Sequence, residues 1–564
     1  MTINLKKYKD KLIFIPLGGA KEIGMNLNLY QYKGKWIIID MGIGFFNEIP
    51  GIEVVVPDIS FLEEIKNDLL ALIITHAHED HLGAVQYLWE AIKVPIYTTK
   101  FTGAFLREKL REYKLDKIVP IITKESRQPF TLGSFELEFF EINHSVPEMN
   151  AAIISTAEGN VFHTGDWKFD QNPVIGQADD YNELAKIGKR GISALICDST
   201  NVFSEGSCAS EGDLQESIIN IVKQQKNLVI VATFASNLSR VITIIEAAKV
   251  AKRYVVICGR ALERIIKIGV ELGYIKDTKN IINRSQIKKY PRNKLLIMAT
   301  GCQGEDRAAM RRIAHDIYPN VRLQKNDTVI FSSKIIPGNE LKIGKVLNQL
   351  AKKQVNILTE KDHFVHVSGH PYRDDLKKMY ELIKPKTAIP VHGEIMHINE
   401  HANFAEKLGV KNILRVTNGS VVILDKKLPQ IIGEVKTGYI GVDGNSLLDI
   451  KSRVFKQRNN IASNGIIIVY VQISALGKLS IDPVIKGPGL FDPELDQEII
   501  YYLTERLANN LKKNLPAYIK KEARSKKIML KEQAIIADVT ADLKMLLSQS
   551  INKNPHIEVF VSSF

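Results

Sequence analysis

The chain has 564 residues, 45% hydrophobic and 25% charged, a globular composition that predicts about two to four domains. The start, Met1-Thr2-Ile3-Asn4-Leu5-Lys6-Lys7, does not read as a secretory leader, no apolar run reaches the roughly 18–20 residues that span a bilayer, and Cys197, Cys208, Cys258 and Cys302 are scattered without a CxxC pair, so a reduced, cytoplasmic compartment is expected. A formal net charge of +13 and a pI near 9.2 predict a polyanionic partner.

Residues 11–40 read as strands and turns, the last strand being Trp36-Ile37-Ile38-Ile39, which ends in Asp40. The apolar run Leu69–Ile74 predicts a buried strand, and Leu82-Gly83-Ala84-Val85 begins a helical pattern. Between them lies Thr75-His76-Ala77-His78-Glu79-Asp80-His81, on a loop at the carboxyl end of a strand, where open α/β sheets place ligands. His76 and His78 alternate along an extended segment, and Asp80 and His81 turn back on the entry to the helix. One loop thus offers ligand pairs to two points, which suits two metal ions about 3.5–4 Å apart. Asp40 is expected beside this loop, orienting a ligand histidine.

Strand 135–144 ends in His144, and Val161-Phe162-His163-Thr164-Gly165-Asp166 ends in Asp166, with His163 expected to face away by strand alternation. Ala194–Cys197 leads to Asp198. From about 206 to 365 strands and helices alternate, which predicts an inserted parallel sheet covered by helices. Its loops, Phe234-Ala235-Ser236-Asn237 among them, are small and polar and offer N–H groups to phosphate. Phe364-Val365-His366-Val367-Ser368-Gly369-His370 and Thr387–Val391 with His392 read as returning strands; His397 and His401 read as helix-face residues. Residues 431–449 are taken as a linker. The tail, 450–564, reads as strand, strand, helix, helix, strand, with Lys520, Lys521, Arg524, Lys526 and Lys527 as a solvated face or an RNA-attracting patch.

His-Ala-His-Glu-Asp-His resembles the signature of the metallo-β-lactamase fold. A hydrolase domain interrupted after Asp198, resumed at Ser-Gly-His and closed by Val-His-Gly-Glu is similar to the β-CASP nucleases, with Asp198, His370 and His392 on their three motifs. A histidine in the third motif resembles the RNA-processing members. Leu17-Gly18-Gly19 with Glu22-Ile23-Gly24, Thr164-Gly165-Asp166, Thr233–Asn237, Ile336-Pro337-Gly338-Asn339 and Lys384-Pro385-Lys386 resemble the ribonuclease J family. Pro371-Tyr372-Arg373 departs from its usual small residues.

The resemblance implies an α/β protein: a metallo-β-lactamase αββα sandwich in two parts (1–205 and 366–430), a parallel α/β β-CASP insert (206–365), the linker, and a small C-terminal α+β domain (450–564) for assembly or RNA. It implies two Zn2+ per subunit, with Mn2+ or Mg2+ also able to support activity. His76, His78 and His144 would hold one ion, Asp80, His81 and His392 the other, and Asp166 would bridge. Asp80, Asp198 and His370 would be catalytic, His370 at the scissile phosphate or the leaving 3′ oxygen. Phe234, Ala235, Ser236, His366, Val367, Ser368, Gly369 and His370 would bind single-stranded RNA, with preference for a 5′-monophosphate. The implied activity is 5′-to-3′ exonuclease and endonuclease cleavage in RNA maturation and mRNA decay, by a homodimer or homotetramer that could meet other RNA-decay proteins and no membrane. A small-ester, thioester or lactam hydrolase and a non-catalytic RNA-binding scaffold are the alternatives. The insert and the charge weigh against the first, the complete ligand set against the second.

Overall fold

A computed structural model describes residues 4–425, 429–521 and 528–563. The chain forms two compact units, Met1–Gly44 with Val56–Tyr439, and Phe45–Val55 with Ile440–Phe564.

The first unit is built on two facing sheets. One has eight strands, in the order Gln430–Glu434, Ser420–Ile423, Ile13–Gly18, Leu27–Tyr32, Lys35–Ile39, Leu69–Ile73, Ile96–Thr98 and Ile121–Thr123; the other runs Phe130–Leu132, Phe135–Glu141, Asn150–Thr156, Gly159–His163, Ile192–Asp198, Thr387–Val391 and Asn412–Ile413. Phe14, Ile37, Ile39 and Ile73 of the first meet Phe135, Phe139, Ile154, Val161 and Ile196 of the second in one shared core. The intervening Ile38 is also fully buried, because a central strand covered on both faces reads as a continuous apolar run instead of an alternation. The outer face of the second sheet, with Phe162, Leu195 and Cys197, packs on Leu184, Leu376, Met379 and Ile383 from helices Tyr181–Lys189 and Arg373–Ile383. This is the αββα sandwich of the metallo-β-lactamase fold.

The chain leaves the sandwich after Ile192–Asp198 and returns as Thr387–Val391, which pairs parallel with it (Asp198 beside Val391). Between them lies a six-stranded sheet in the order Ile281–Ile282, Tyr254–Cys258, Leu295–Ala299, Val229–Ala232, Thr328–Phe331, Asn356–Leu358. All its pairings are parallel, as alternating strands and helices require. A buried ion pair, Arg240 with Glu211 at 3.1 Å, ties its first two helices together, and Arg240 also donates to the carbonyls of Ser332 (3.0 Å) and Val365 (3.3 Å). Several charge-assisted bonds of this kind are what a fully buried guanidinium needs.

Three expectations change. Residues 364–370 form no strand; they run as an irregular segment, held by side-chain and guanidinium bonds to its carbonyls instead of a ladder. The stretch expected as a linker carries strand Gln430–Glu434, paired with Ser420–Ile423, and a hairpin of Tyr439–Asp443 with Ser446–Asp449. The tail contains more than was read: helix Arg453–Asn464 precedes the strands, and a hairpin, Ile519–Lys521 with Ile528–Leu530, separates helices Gln497–Asn514 and Glu532–Ser550. Its central strand Ile466–Ile473 buries alternate residues, Ile467, Val469, Val471 and Ile473, and pairs parallel with His556–Ser563. Arg524, Lys526, Lys527 and the side chain of Lys521 lie outside the described residues. No described helix is long and apolar enough to cross a membrane.

Candidate metal centre

The loop after Leu69–Ile73 delivers His76, His78, Asp80 and His81 to one place, and strand ends deliver the rest. Ligand-type atoms of His76, His78, His144 and Asp166 lie mutually within 4.8 Å, as do those of Asp80, His81, Asp166 and His392. In the first cluster His76 Nε2 and His144 Nε2 each stand 3.1 Å from His78 Nδ1. In the second, His392 Nε2 is 3.1 Å from Asp80 Oδ2, and His81 Nε2 is 3.2 Å from Asp166 Oδ2 and 3.5 Å from Asp80 Oδ2. Metal–ligand bonds of about 2.0–2.1 Å give a tetrahedron with edges of about 3.3–3.4 Å. The donor atoms are spaced as such edges, so the residues present fit two ions that share Asp166.

Each histidine is oriented from behind. Thr75 Oγ1 lies 2.9 Å from His76 Nδ1 and donates to Asp40 Oδ2 at 2.9 Å. Asp40 Oδ2 also takes His81 Nδ1 at 2.7 Å. His144 Nδ1 meets the Gly369 carbonyl at 2.5 Å. Thr200 Oγ1 lies 3.0 Å from His392 Nδ1 and donates to Asp198 Oδ1 at 2.6 Å. These acceptors fix Nδ1–H and leave Nε2 as the lone pair turned to the cluster. His78 is reversed, with Nδ1 inward and Nε2 at 3.3 Å from Ser145 Oγ. Asp40 and His392 sit on left-handed backbone, φ +64° and +52°, a conformation that non-glycine residues hold only where packing dictates it. Gly369 leaves room for this arrangement, since a Cβ there would come within 2.7 Å of the His144 ring.

The electrostatics divide the histidines. Burial pushes His76 and His144 far down and His78 to about 4, which keeps them neutral, the form that binds metal. Burial, the largest single effect, disfavours charge on His81 and His392, but the carboxylates together outweigh it: Asp166 with Asp80 and Asp40 at His81, and Asp166 with Asp198 and Asp80 at His392, which rises to about 10. That second point is a negative field suited to a cation.

His370 belongs to neither of these two sets, but joins Asp166, Asp198 and His392 in a third group whose ligand-type atoms lie mutually within 4.8 Å. Its Nδ1 is 2.7 Å from Asp198 Oδ2 and 4.0 Å from Asp166, and its ring lies stacked 5.7 Å from His392. Burial lowers its pKa, yet Asp198, by charge and hydrogen bond, together with Asp166 more than offsets this and raises it.

The residues expected to bind substrate are less tightly drawn together. Ser368 Oγ accepts from Asn201 Nδ2 at 2.7 Å and from the His370 N–H at 3.1 Å, so its own O–H remains a donor. Val367 is buried. His366 is half-buried and its Nδ1 has no hydrogen-bond partner among the described residues; burial, then the nearby cations Arg240, Lys334 and Lys168, push it to about 3. Phe234, Ala235 and Ser236 are half-exposed, with Phe234 packed on the insert core, just before Asn237 caps helix Leu238–Val250. Arg373 donates to the Val202 carbonyl at 2.8 Å and pairs with Glu205 (2.8 Å) and Glu400, so the departing Pro371-Tyr372-Arg373 secures a helix start.

Sequence reasoning missed Thr75, Thr200, Asn26 and Ser145, although Thr75 adjoins His76 and Ser145 adjoins His144. Asn26 Nδ2 lies 3.1 Å from His81 Nε2. His163 is buried against the Tyr30 hydroxyl at 2.9 Å. His401, expected on a helix face, is fully buried, bridging Ser199 Oγ (2.9 Å) and Tyr380 Oη (3.0 Å).

Comparison with known proteins agrees with this architecture. Residues 26–173 match the metallo-beta-lactamase superfamily, 226–350 the beta-CASP domain of ribonuclease J, and 354–415 the Zn-dependent metallo-hydrolase RNA specificity domain. The solved structure of a protein of unknown function from Enterococcus faecalis V583 covers 68% of this chain and 94% of its own at a TM-score of 0.50 and 17% identity, a likeness of fold alone. Ribonuclease J2 of Bacillus subtilis is 36% identical over 83% of this chain and 85% of its own length. Ribonuclease J of Sinorhizobium meliloti is 36% identical over 98% of this chain and 97% of its own, and with that coverage the chain belongs to the ribonuclease J family.

Proposed function

We propose that this chain is a metal-dependent ribonuclease, with both 5′-to-3′ exonuclease and endonuclease action in RNA maturation and mRNA decay. The observation that carries the reading is the pair of donor clusters sharing Asp166, with His370 alongside. Zinc suits nitrogen and oxygen donors at these spacings, and manganese or magnesium would support the same chemistry. Two bound cations would supply acidity to water near neutral pH and positive charge for the developing oxyanion.

The chain's own residues do the rest. Asp198 holds His370 protonated, ready to contact the scissile phosphate or to give a proton to the leaving 3′ oxygen. Cleavage leaves a 5′-phosphate and a 3′-hydroxyl. Asp80 and Asp166 present carboxylates where cations belong. His366, beneath the field of Arg240, Lys334 and Lys168, and the free O–H of Ser368 suit a terminal 5′-monophosphate. Phe234 stacks a base, a contact worth roughly 1–3 kcal/mol. The net charge of +13 favours single-stranded RNA electrostatically. Work in the cytoplasm and assembly as a homodimer or homotetramer belong to the same reading; Leu495, Tyr501 and Phe560 of the second unit are exposed, which suits self-association.

The test is product length on 5′-monophosphorylated and 5′-triphosphorylated RNA. Phe234→Ala is expected to slow release of mononucleotides about tenfold, within the stacking range, and internal cleavage less. Ser368→Ala slows both, because its hydroxyl also holds the His370 N–H. Equal losses in Phe234→Ala would remove the end-recognition part of this reading.

A further inference from the structure

The loop that carries His144 and Ser145 ends at Glu148, whose backbone is left-handed, φ +52°. A glutamate stays there only when its surroundings dictate it. Its Oε2 accepts the Phe101 N–H at 2.8 Å, in the first turn of helix Lys100–Arg111. Its carbonyl accepts from Thr99 Oγ1 at 3.3 Å and Asn150 Nδ2 at 2.7 Å. The remaining oxygen, Oε1, accepts from Tyr274 Oη at 2.6 Å, and Tyr274 belongs to the insert. The tyrosine ring also stands edge-on to Phe101, 5.8 Å between centroids at 85°. Burial first, then the carboxylate, lifts the phenol above its ordinary range, so the tyrosine remains the donor of a short, charge-assisted bond. Along the same seam Lys267 pairs with Glu108 at 2.8 Å and Arg264 with Glu112, but half-exposed ion pairs contribute little individually.

We propose that Tyr274 is a positioning residue for the metal centre: through it the insert holds Glu148 and fixes the loop that presents His144 and Ser145. Both residues of that loop bear on His78, at 3.1 and 3.3 Å, and the loop's far end is pinned to the metal segment by the Asn150 N–H on the Thr75 carbonyl at 3.2 Å. A shift at Glu148 therefore reaches one ligand directly and a second through Ser145. The docking of the RNA-binding insert and the geometry of the hydrolytic cluster are set together. The inference rests on the reading of His144 as a metal ligand.

Tyr274→Phe keeps the ring against Phe101 and removes only the hydroxyl. In the full chain it is expected to weaken zinc retention against a chelator about tenfold, the lower end for outer partners of metal ligands, and to lower kcat on RNA with KM unchanged. Glu148→Gln, which cannot accept from both Tyr274 and Phe101 as the carboxylate does, shifts both readouts in the same direction. The double variant is no worse than the poorer single one, since both break one link. A Tyr274→Phe protein that melts lower but retains zinc like the parent would make the tyrosine merely structural. A raised KM with normal zinc retention would make it a substrate contact; either result overturns the proposal. His144→Ala with the parent's zinc content would instead overturn the ligand reading beneath it.

Discussion

Two carboxylate–threonine pairs stand at the ends of the two sheets, and they do related work with different results. Asp40, at the end of a strand in the eight-stranded sheet, holds His81 directly and His76 through Thr75. Asp198, at the end of a strand in the seven-stranded sheet, holds His370 directly and His392 through Thr200. In the first pair both histidines turn a nitrogen into the donor clusters. In the second, His392 does so and His370 stands outside both clusters. On the proposed reading the same orienting device thus serves two ligands on one side, and one ligand with one proton donor on the other.

The largest effect is expected where the two halves join. Asp166 lies 3.2 Å from His81, 3.3 Å from His392 and 3.9 Å from His76, so Asp166→Ala removes the one carboxylate common to both clusters. Elemental analysis should show loss of metal, and RNA cleavage should fall by more than about 10³-fold, beyond the loss of a single oriented donor. Full metal content with full activity would reject the shared-carboxylate arrangement.

His370→Ala sharpens the contrast. It should retain both metals and lose about 10²–10⁴ in rate, the range for a general acid. Loss of metal in this variant would make the two pairs equivalent and His370 a ligand.

The carboxylates themselves come next. Asp40→Asn should weaken metal retention about 10- to 100-fold, since it orients two histidines of the donor clusters. Asp198→Asn should lose rate more than metal, since the proposed reading makes one of its two histidines the proton donor. Chelator competition beside single-turnover kinetics reads both quantities, and identical profiles for the two variants would end the distinction.

The two pairs also differ in how legible they are. Asp198 and Thr200 are two residues apart, in one turn with the Thr200 N–H on Asp198 Oδ1 at 2.8 Å, yet the sequence does not single out Thr200, because a threonine near an aspartate is ordinary in any turn. Thr75 was in plain view beside His76, but its link to Asp40 runs between neighbouring strands and needs their register, Ile39 beside Ile73. The metal loop could be read because its residue types have few other uses at that spacing. The sandwich and the insert were legible because apolar runs of strand length alternating with helical patterns allow few architectures. Segment 364–370 is misleading for the opposite reason: Val365, His366 and Val367 look like a strand, whereas the Val365 carbonyl is taken by Arg240 and Ser332 and the Ser368 carbonyl by Cys208, all remote in sequence. Burial through tertiary contact is also what hid His401.

His401 gives the smallest and most local prediction, behind the Asp198 pair. It accepts or donates at Ser199 and Tyr380 with no exposure to water, and burial lowers its pKa from 6.5 to about 4. A depressed histidine binds fewer protons folded than unfolded between those values. Its contribution to stability is therefore complete above about pH 6.5 and is lost as pH falls toward about 4. The shift corresponds to at most about 3 kcal/mol. His401→Gln cannot titrate, so it should cost about 1–2 kcal/mol at neutral pH for imperfect buried hydrogen bonds while flattening the acid limb. Denaturant unfolding of parent and variant at pH 7.5 and 4.5 measures this. The parent should lose more stability than the variant between the two values, with metal retention at pH 7.5 unchanged. Parallel losses would mean that His401 is not the group that titrates, and a drop in metal retention would mean that the Ser199 contact reaches the ligands through Asp198.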